Sequence, residues 1–245
     1  MQFRQKHQSL SSPTTRVALI AVFTALSLST NYVMIDIPNV KLMDSFVFIA
    51  AFLFGLEVGL GSAMSIWIVY GFINPWGQAG FPLFFFLVIG ECFYAVAGAI
   101  LRRVPAVEDA LRNSFWKNSQ VLPQSEFAVV GGFGNRAWGF VYKRYTEAKR
   151  RLQQTFFRLL PYGRMSLLFG TIGFQTTFAY DALTNFGDKI LVTSSLYQAL
   201  IIGLITGVPF AIVHEASNLA FFAIVVPMAI ATSKRIGLSI QDKAP

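Results

Sequence analysis

The sequence carries too little charge for an ordinary soluble domain. Charged residues are 13% of its 245 positions, where a soluble domain holds roughly a quarter. Cysteine is nearly absent. Cys92 is the only one and lies in an apolar run, so neither a disulfide framework nor a thiolate metal site is available. Histidine is almost as scarce, with two residues, one of them in the N-terminal tail. Metal ligation therefore has little to draw on. His214-Glu215 does not open a His-Glu-x-x-His motif, because Asn218 stands at the second histidine position. There is no Gly-x-Ser-x-Gly elbow and no pair of acids at catalytic spacing. The Gly-rich stretch Val129–Asn135 lacks a Lys-Ser/Thr ending and any strand-turn-helix setting, so it reads as a turn rather than a nucleotide loop. The expectation is a protein that is not an enzyme and carries no cofactor.

Apolar residues are what the chain has in abundance. They make up 54% of it, and 25 residues are Phe. The formal charge of +8 could point to nucleic acid. However, the basic residues flank apolar runs, which fits membrane topology and anionic lipid instead. Eighteen of the 20 Lys and Arg residues fall in three places: the N-terminus (Arg4, Lys6, Arg16), the stretch from Arg102 to Arg164, and the tail (Lys234, Arg235, Lys243). Only Lys41 and Lys189 lie elsewhere. Positive charge is retained on the cytoplasmic side during insertion. The reading is an all-α integral membrane protein of the cell membrane with both termini cytoplasmic.

Six spans satisfy both length and charge. The first covers about Val17 to Met34. A basic stretch precedes it but no small-x-small cleavage site follows, so it reads as a retained span rather than a signal peptide. Leu42 to Phe72 is almost wholly apolar and, at 31 residues, too long for one simple crossing. A single crossing would also put the basic 102–164 segment outside. Two short passes turning near Gly55, Glu57 and Gly59 resolve this. The fourth span runs from about Phe81 to Leu101, and the fifth from about Met165 to Tyr180. The last apolar stretch, Leu196 to Thr232, is interrupted by Gly207 and Pro209. The final span is therefore placed at Val208 to Ala231, with residues 196–206 as an outer half-helix or re-entrant segment.

This divides the chain into residues 1–103 (helices 1–4), a cytoplasmic insertion at 104–164, and residues 165–245 (helices 5 and 6). Between Trp138 and Leu160 the apolar positions recur at three-four spacing, with Lys and Arg mostly elsewhere. A basic amphipathic helix on the inner leaflet fits that pattern, and so does docking on a partner.

Polar residues inside the bilayer are the functional candidates, because a charge at the membrane centre costs about 2.5–3.5 kcal/mol on insertion scales. Glu91, His214, Glu215 and Asn218 lie within spans. Asn31, Asp44, Trp76 and Asp181 lie toward the outer ends, where three loops converge. Together they describe a solute site open outward. The bland alternatives are loop solvation for the outer residues and interhelical hydrogen bonding for Glu91 and His214. On the first span Ala18, Ala21, Ala25 and Ser29 make a stripe of small side chains that suits close helix approach, to a partner or within the bundle.

These features resemble the substrate-binding S component of energy-coupling factor (ECF) vitamin transporters. The matching parts are Ala21-x-x-x-Ala25, Ile37-Pro38 before Asp44, the Phe54-Gly55…Gly59-x-Gly61 turn, Tyr180-Asp181-Ala-Leu-Thr-Asn185, and Gly207-Val-Pro-Phe-Ala-Ile-Val-His214-Glu-Ala-Ser-Asn218. They cover residues 15–103 and 165–236. The long insertion departs from the compact family pattern. The resemblance implies a six-helix bundle that captures a micronutrient, for example a corrinoid, at the extracytoplasmic side. A membrane coupling subunit and ATPases would supply energy, and the Ala21/Ala25 face would meet the coupling subunit. Asn31, Asp44, Trp76, Asp181, His214 and Asn218 would bind the solute, and no metal is implied. A stand-alone carrier or channel using Glu91 and His214 as a relay is the alternative, and a non-transport membrane scaffold is another.

Overall fold

The computed structural model describes residues 12–75, 77–115 and 136–238, with side chains undescribed at 112–115, 136–162 and 235. Trp76 and the Val129–Asn135 turn lie outside the described residues, as do Arg4 and Lys6. Among the described residues the structure is wholly helical. Its elements are α1 (Pro13–Val33), α2 (Met43–Phe54), α3 (Leu56–Tyr70), α4 (Phe81–Arg102), α5 (Pro105–Phe115), α6 (Arg136–Lys189) and α7 (Leu196–Arg235). α1, α4 and α7 are long and apolar enough to cross a membrane. Their large side chains are widely exposed, among them Val22, Phe85, Ile89, Ile212 and Ile224. Water would penalise that surface and lipid would not.

Local chemistry explains the helix starts. The Ser12 hydroxyl accepts from the Thr15 amide at 3.2 Å and Pro13 fills the first turn of α1. Ser195 does the same for α7, accepting from the Gln198 amide at 3.2 Å. The apolar run after Leu42 does divide in two, and the division falls on Gly55. Its φ of 96° lies where a side chain is strained, so glycine is what allows α3 to leave α2 so abruptly.

α2 is the hub of the bundle. Eleven of its 12 residues are buried, and it packs against α1, α3, α4 and α7. α4 lies so close that a Cβ on Gly98 would overlap the Phe48 carbonyl oxygen. Phe48 meets Phe169 of α6 and Phe222 of α7 edge-on, at centroid distances of 5.8 and 5.2 Å. Such ring pairs add to the area they bury. α5 was not foreseen from the sequence. It opens the insertion and packs on α6, with Val107 and Leu111 buried in the same core.

Two expectations about the C-terminal half need correction. Residues 196–206 are not a separate half-helix: α7 is continuous for 40 residues, with Pro209 and Pro227 inside it. Proline is tolerated in apolar helices because neighbouring groups cover the freed carbonyl. Gly207 does not break the helix either. It makes room for α6, since a Cβ there would overlap the Asn185 side-chain amide. Likewise α6 is one helix of 54 residues, so the stretch expected as amphipathic and the fifth span share a helix that continues to Lys189.

The two ends of the bundle differ in charge. Arg16 pairs with Glu57, Lys234 pairs with Glu108 at 3.6 Å, and Arg102 lies beside Gly55. All of these sit at the end opposite the 34–42 and 71–80 loops.

Candidate functional site

Helical spacing supplies the site's parts. His214 and Asn218 are one turn apart on α7, and Thr177 and Asp181 are one turn apart on α6. Residues at i and i+4 share a face. When the two helices pack, the pairs therefore meet as rungs, and the buried N-terminus of α2 delivers Asp44 between them. His214 Nδ1 lies 2.9 Å from Asp181 Oδ1, and His214 Nε2 lies 2.8 Å from Asp44 Oδ2. Asn218 donates to Asp44 Oδ2 at 2.6 Å and to Thr177 Oγ1 at 2.8 Å. Tyr94 of α4 donates to the same Thr177 oxygen at 3.0 Å, and that hydroxyl donates to the Gly173 carbonyl at 2.7 Å. Thr177 thereby uses its one proton and both lone pairs.

Proton counting fixes the charge of the acid–imidazole–acid group. Two hydrogen bonds between one imidazole and two carboxyls require two protons. Whichever atoms hold them, the group carries a net charge of −1. It is also deeply enclosed: Asp44 and Asn218 are 0% exposed, His214 1% and Asp181 6%. Because both ring nitrogens already face a carboxylate, His214 has no lone pair free for a metal. Among the described residues no group of three or more His, Cys, Asp and Glu could hold one.

Above this network, at the loop end of the bundle, is a cavity of about 570 Å³. Loop residues 34, 35 and 37–41, with Asn31, Trp67, Tyr70, Asn74 and Gln78, line it, together with Leu83 and Leu87 of α4 and Phe210 of α7. Two aromatic side chains connect the cavity lining to the buried groups. The Trp67 indole donates to Glu91 Oε2 at 3.1 Å, and the Tyr180 ring stands edge-on to His214 at 5.5 Å. The Lys41 ammonium lies over both rings, 5.6 Å from the Trp67 centroid and 5.9 Å from that of Tyr180. A smaller cavity of about 230 Å³ lies between α6 and α7, bordered by Asp181, Asn185 and Glu215.

Of the six residues expected to bind solute, Asp44, Asp181, His214 and Asn218 come together in one network. Asn31 stands apart from it on the cavity wall, buried, with its amide 2.8 Å from the sulfur of Met43. Trp76 lies outside the described residues. Glu91, which the carrier alternative pairs with His214 as a relay, accepts a hydrogen bond from Trp67, the interhelical bonding of the bland alternative. Ala18, Ala21, Ala25 and Ser29 are all exposed, so the small-residue stripe faces away from the bundle. Tyr94, Thr177, Trp67, Tyr180 and Lys41 were missed as site residues. Spacing could have found two of them, since Tyr94 follows Glu91 by three and Thr177 precedes Asp181 by four. In comparisons with known proteins no family model, no curated protein and no solved structure matches the chain.

Proposed function

We propose that this chain is a membrane capture subunit that binds a micronutrient at its loop end and passes it inward. In this reading α1, α2, α3, α4, α6 and α7 are six spans of the cell membrane with both termini cytoplasmic. Arg16, Arg102 and Lys234 gathered at one end support that orientation. α2 and α3, about 18 and 22 Å long at 1.5 Å per residue, are short for a core of about 30 Å. α2 is buried inside the bundle, and the loop that completes its crossing lines the cavity, where irregular backbone at membrane depth is tolerated.

The carrying observation is the cavity of about 570 Å³ at the loop end, walled by aromatics and amides, with the buried Asp44–His214–Asp181–Asn218 hydrogen-bond network behind it. That volume lies within the range of small-molecule sites. It favours a ring compound over a complete corrinoid, whose macrocycle and side chains need more room. By its resemblance to ECF S components, the chain would work with a membrane coupling subunit and ATPases, docking through Ala21 and Ala25. Mass spectrometry of the small molecule retained by detergent-purified protein, followed by binding titration, tests this. A stoichiometric metabolite supports capture. An empty protein that binds nothing across a vitamin panel overturns it.

One observation favours a second reading. Asp44, His214 and Asp181 form a chain of exchangeable protons across α2, α7 and α6, as a proton-coupled carrier would need. Proton flux into vesicles holding this chain alone, with no ATPase, would establish that reading.

A further inference from the structure

Among the described residues, Lys41 is the only charged side chain lining the larger cavity. It is half-buried, and among the described residues it forms no ion pair within 4.0 Å. What holds it is the faces of Trp67 and Tyr180, whose ring quadrupoles attract a cation and leave its three N–H donors unassigned. The two acids nearest it, Asp44 and Glu91, lie within electrostatic reach of its charge, and each has one oxygen engaged and one without a hydrogen-bond partner. Asp44 Oδ2 is engaged by His214 and Asn218, and Glu91 Oε2 by Trp67. Neither acid lines the cavity, so a solute there meets the Lys41 charge first.

The remaining described lining is uncharged. Trp67 and Tyr70 contact each other edge-on at 5.7 Å, and Tyr32 extends the aromatic side by meeting Tyr70 at 5.9 Å. Asn31, Asn74 and Gln78 supply amides that can donate or accept. This arrangement suits a flat ring held against aromatic side chains, with one acidic group reaching the ammonium. A free ammonium in a partly desolvated cavity makes a charge-assisted bond to a carboxylate that a neutral amide cannot match.

We propose that Lys41 is the anchor for a carboxylate on the solute, so that the cavity selects planar ring-bearing acids. The proposal rests on the capture reading and narrows its substrate class. The test is calorimetric titration of the full chain in lipid nanodiscs. The probes are indole-3-acetate, 2-naphthoate and 4-aminobenzoate, each beside its primary amide and the matching ring methylamine.

Acids should bind the native chain at least roughly tenfold more tightly than their amides, the scale of one such contact. Lys41→Met should abolish that preference and Lys41→Arg should keep it. Unchanged thermal stability of both variants excludes misfolding as the cause. Equal binding of acids and amides, a preference for the methylamines, or an acid preference that survives Lys41→Met would each overturn the anchor. So would failure of every acid to bind. A neutral or cationic solute retained on purification would overturn the anchor and leave capture standing. An empty protein that binds no member of the panel and no vitamin overturns both.

Discussion

Replacing His214 with Leu removes two hydrogen bonds at once and leaves two buried carboxyls facing an apolar side chain. Asp44 Oδ2 keeps its bond from Asn218, but the contact of Asp181 Oδ1 with the ring is its one hydrogen bond among the described residues. The group then goes from a net charge of −1 with two shared protons to two acids with no donor between them. Breaking a buried charged pair costs about 3–5 kcal/mol. For a chain of this size each kcal/mol moves the midpoint by roughly 2–4 °C, so His214→Leu should unfold roughly 6–20 °C below the native protein. Cys92 provides the assay. It is the only cysteine and is half-buried, so a fluorogenic maleimide reports its exposure as the bundle opens on heating. Adding Asp44→Asn and Asp181→Asn to His214→Leu removes the stranded charge and should recover at least half of the loss. Such non-additivity is the signature of groups that act as one network. A shift under roughly 2 °C for His214→Leu, the scale of a surface substitution, would refute the reasoning. So would the absence of any recovery in the triple variant.

Three further outcomes follow from the same structure. Gly55→Ala should cost about 1–3 kcal/mol from its backbone conformation (φ 96°, ψ 166°) alone, because a Cβ there comes no closer than 3.7 Å to Arg102; the same thermal assay reads it. Ala21→Trp with Ala25→Trp should leave stability and solute binding unchanged, since both sites are exposed, and abolish recovery of a coupling subunit in a pull-down. Loss of stability as well would mean the stripe packs within the bundle. Arg16→Ala should cost under about 1 kcal/mol, because the Arg16 and Glu57 side chains are 39% and 74% exposed and water screens the pair.

Much of the fold was legible along the chain because lipid imposes simple rules. Apolar length marked the helices, and the interruption at Gly55 was readable because a positive φ needs glycine. The same logic misled at Gly207 and Pro209. A glycine in an apolar helix marks either a break or a close neighbour, and only the Asn185 side chain packed against Gly207 distinguishes them. At the site, Asp44, Asp181, His214 and Asn218 stood out as polar residues in apolar surroundings. Tyr94 and Thr177 did not, because both residue types are common in apolar helices and carry no charge to flag them.

By itself, the sequence determined that this is a helical chain suited to a membrane, with positive charge concentrated at particular segments and a few costly polar groups that demand partners. Those properties depend on composition and on spacing along one helix. The pairing of the polar groups was decided only by tertiary structure. His214 and Asp44 are 170 positions apart, and Asn218 and Tyr94 are 124 apart. Which carboxylate meets which ring nitrogen depends on how four helices cross around α2, set by contacts such as Gly98 on Phe48 and Gly207 on Asn185. The exposure of Lys41 to a cavity has the same origin. Lys41 stands three positions before Asp44 yet makes no direct ion pair with it among the described residues, lying over the faces of Trp67 and Tyr180 on the cavity lining.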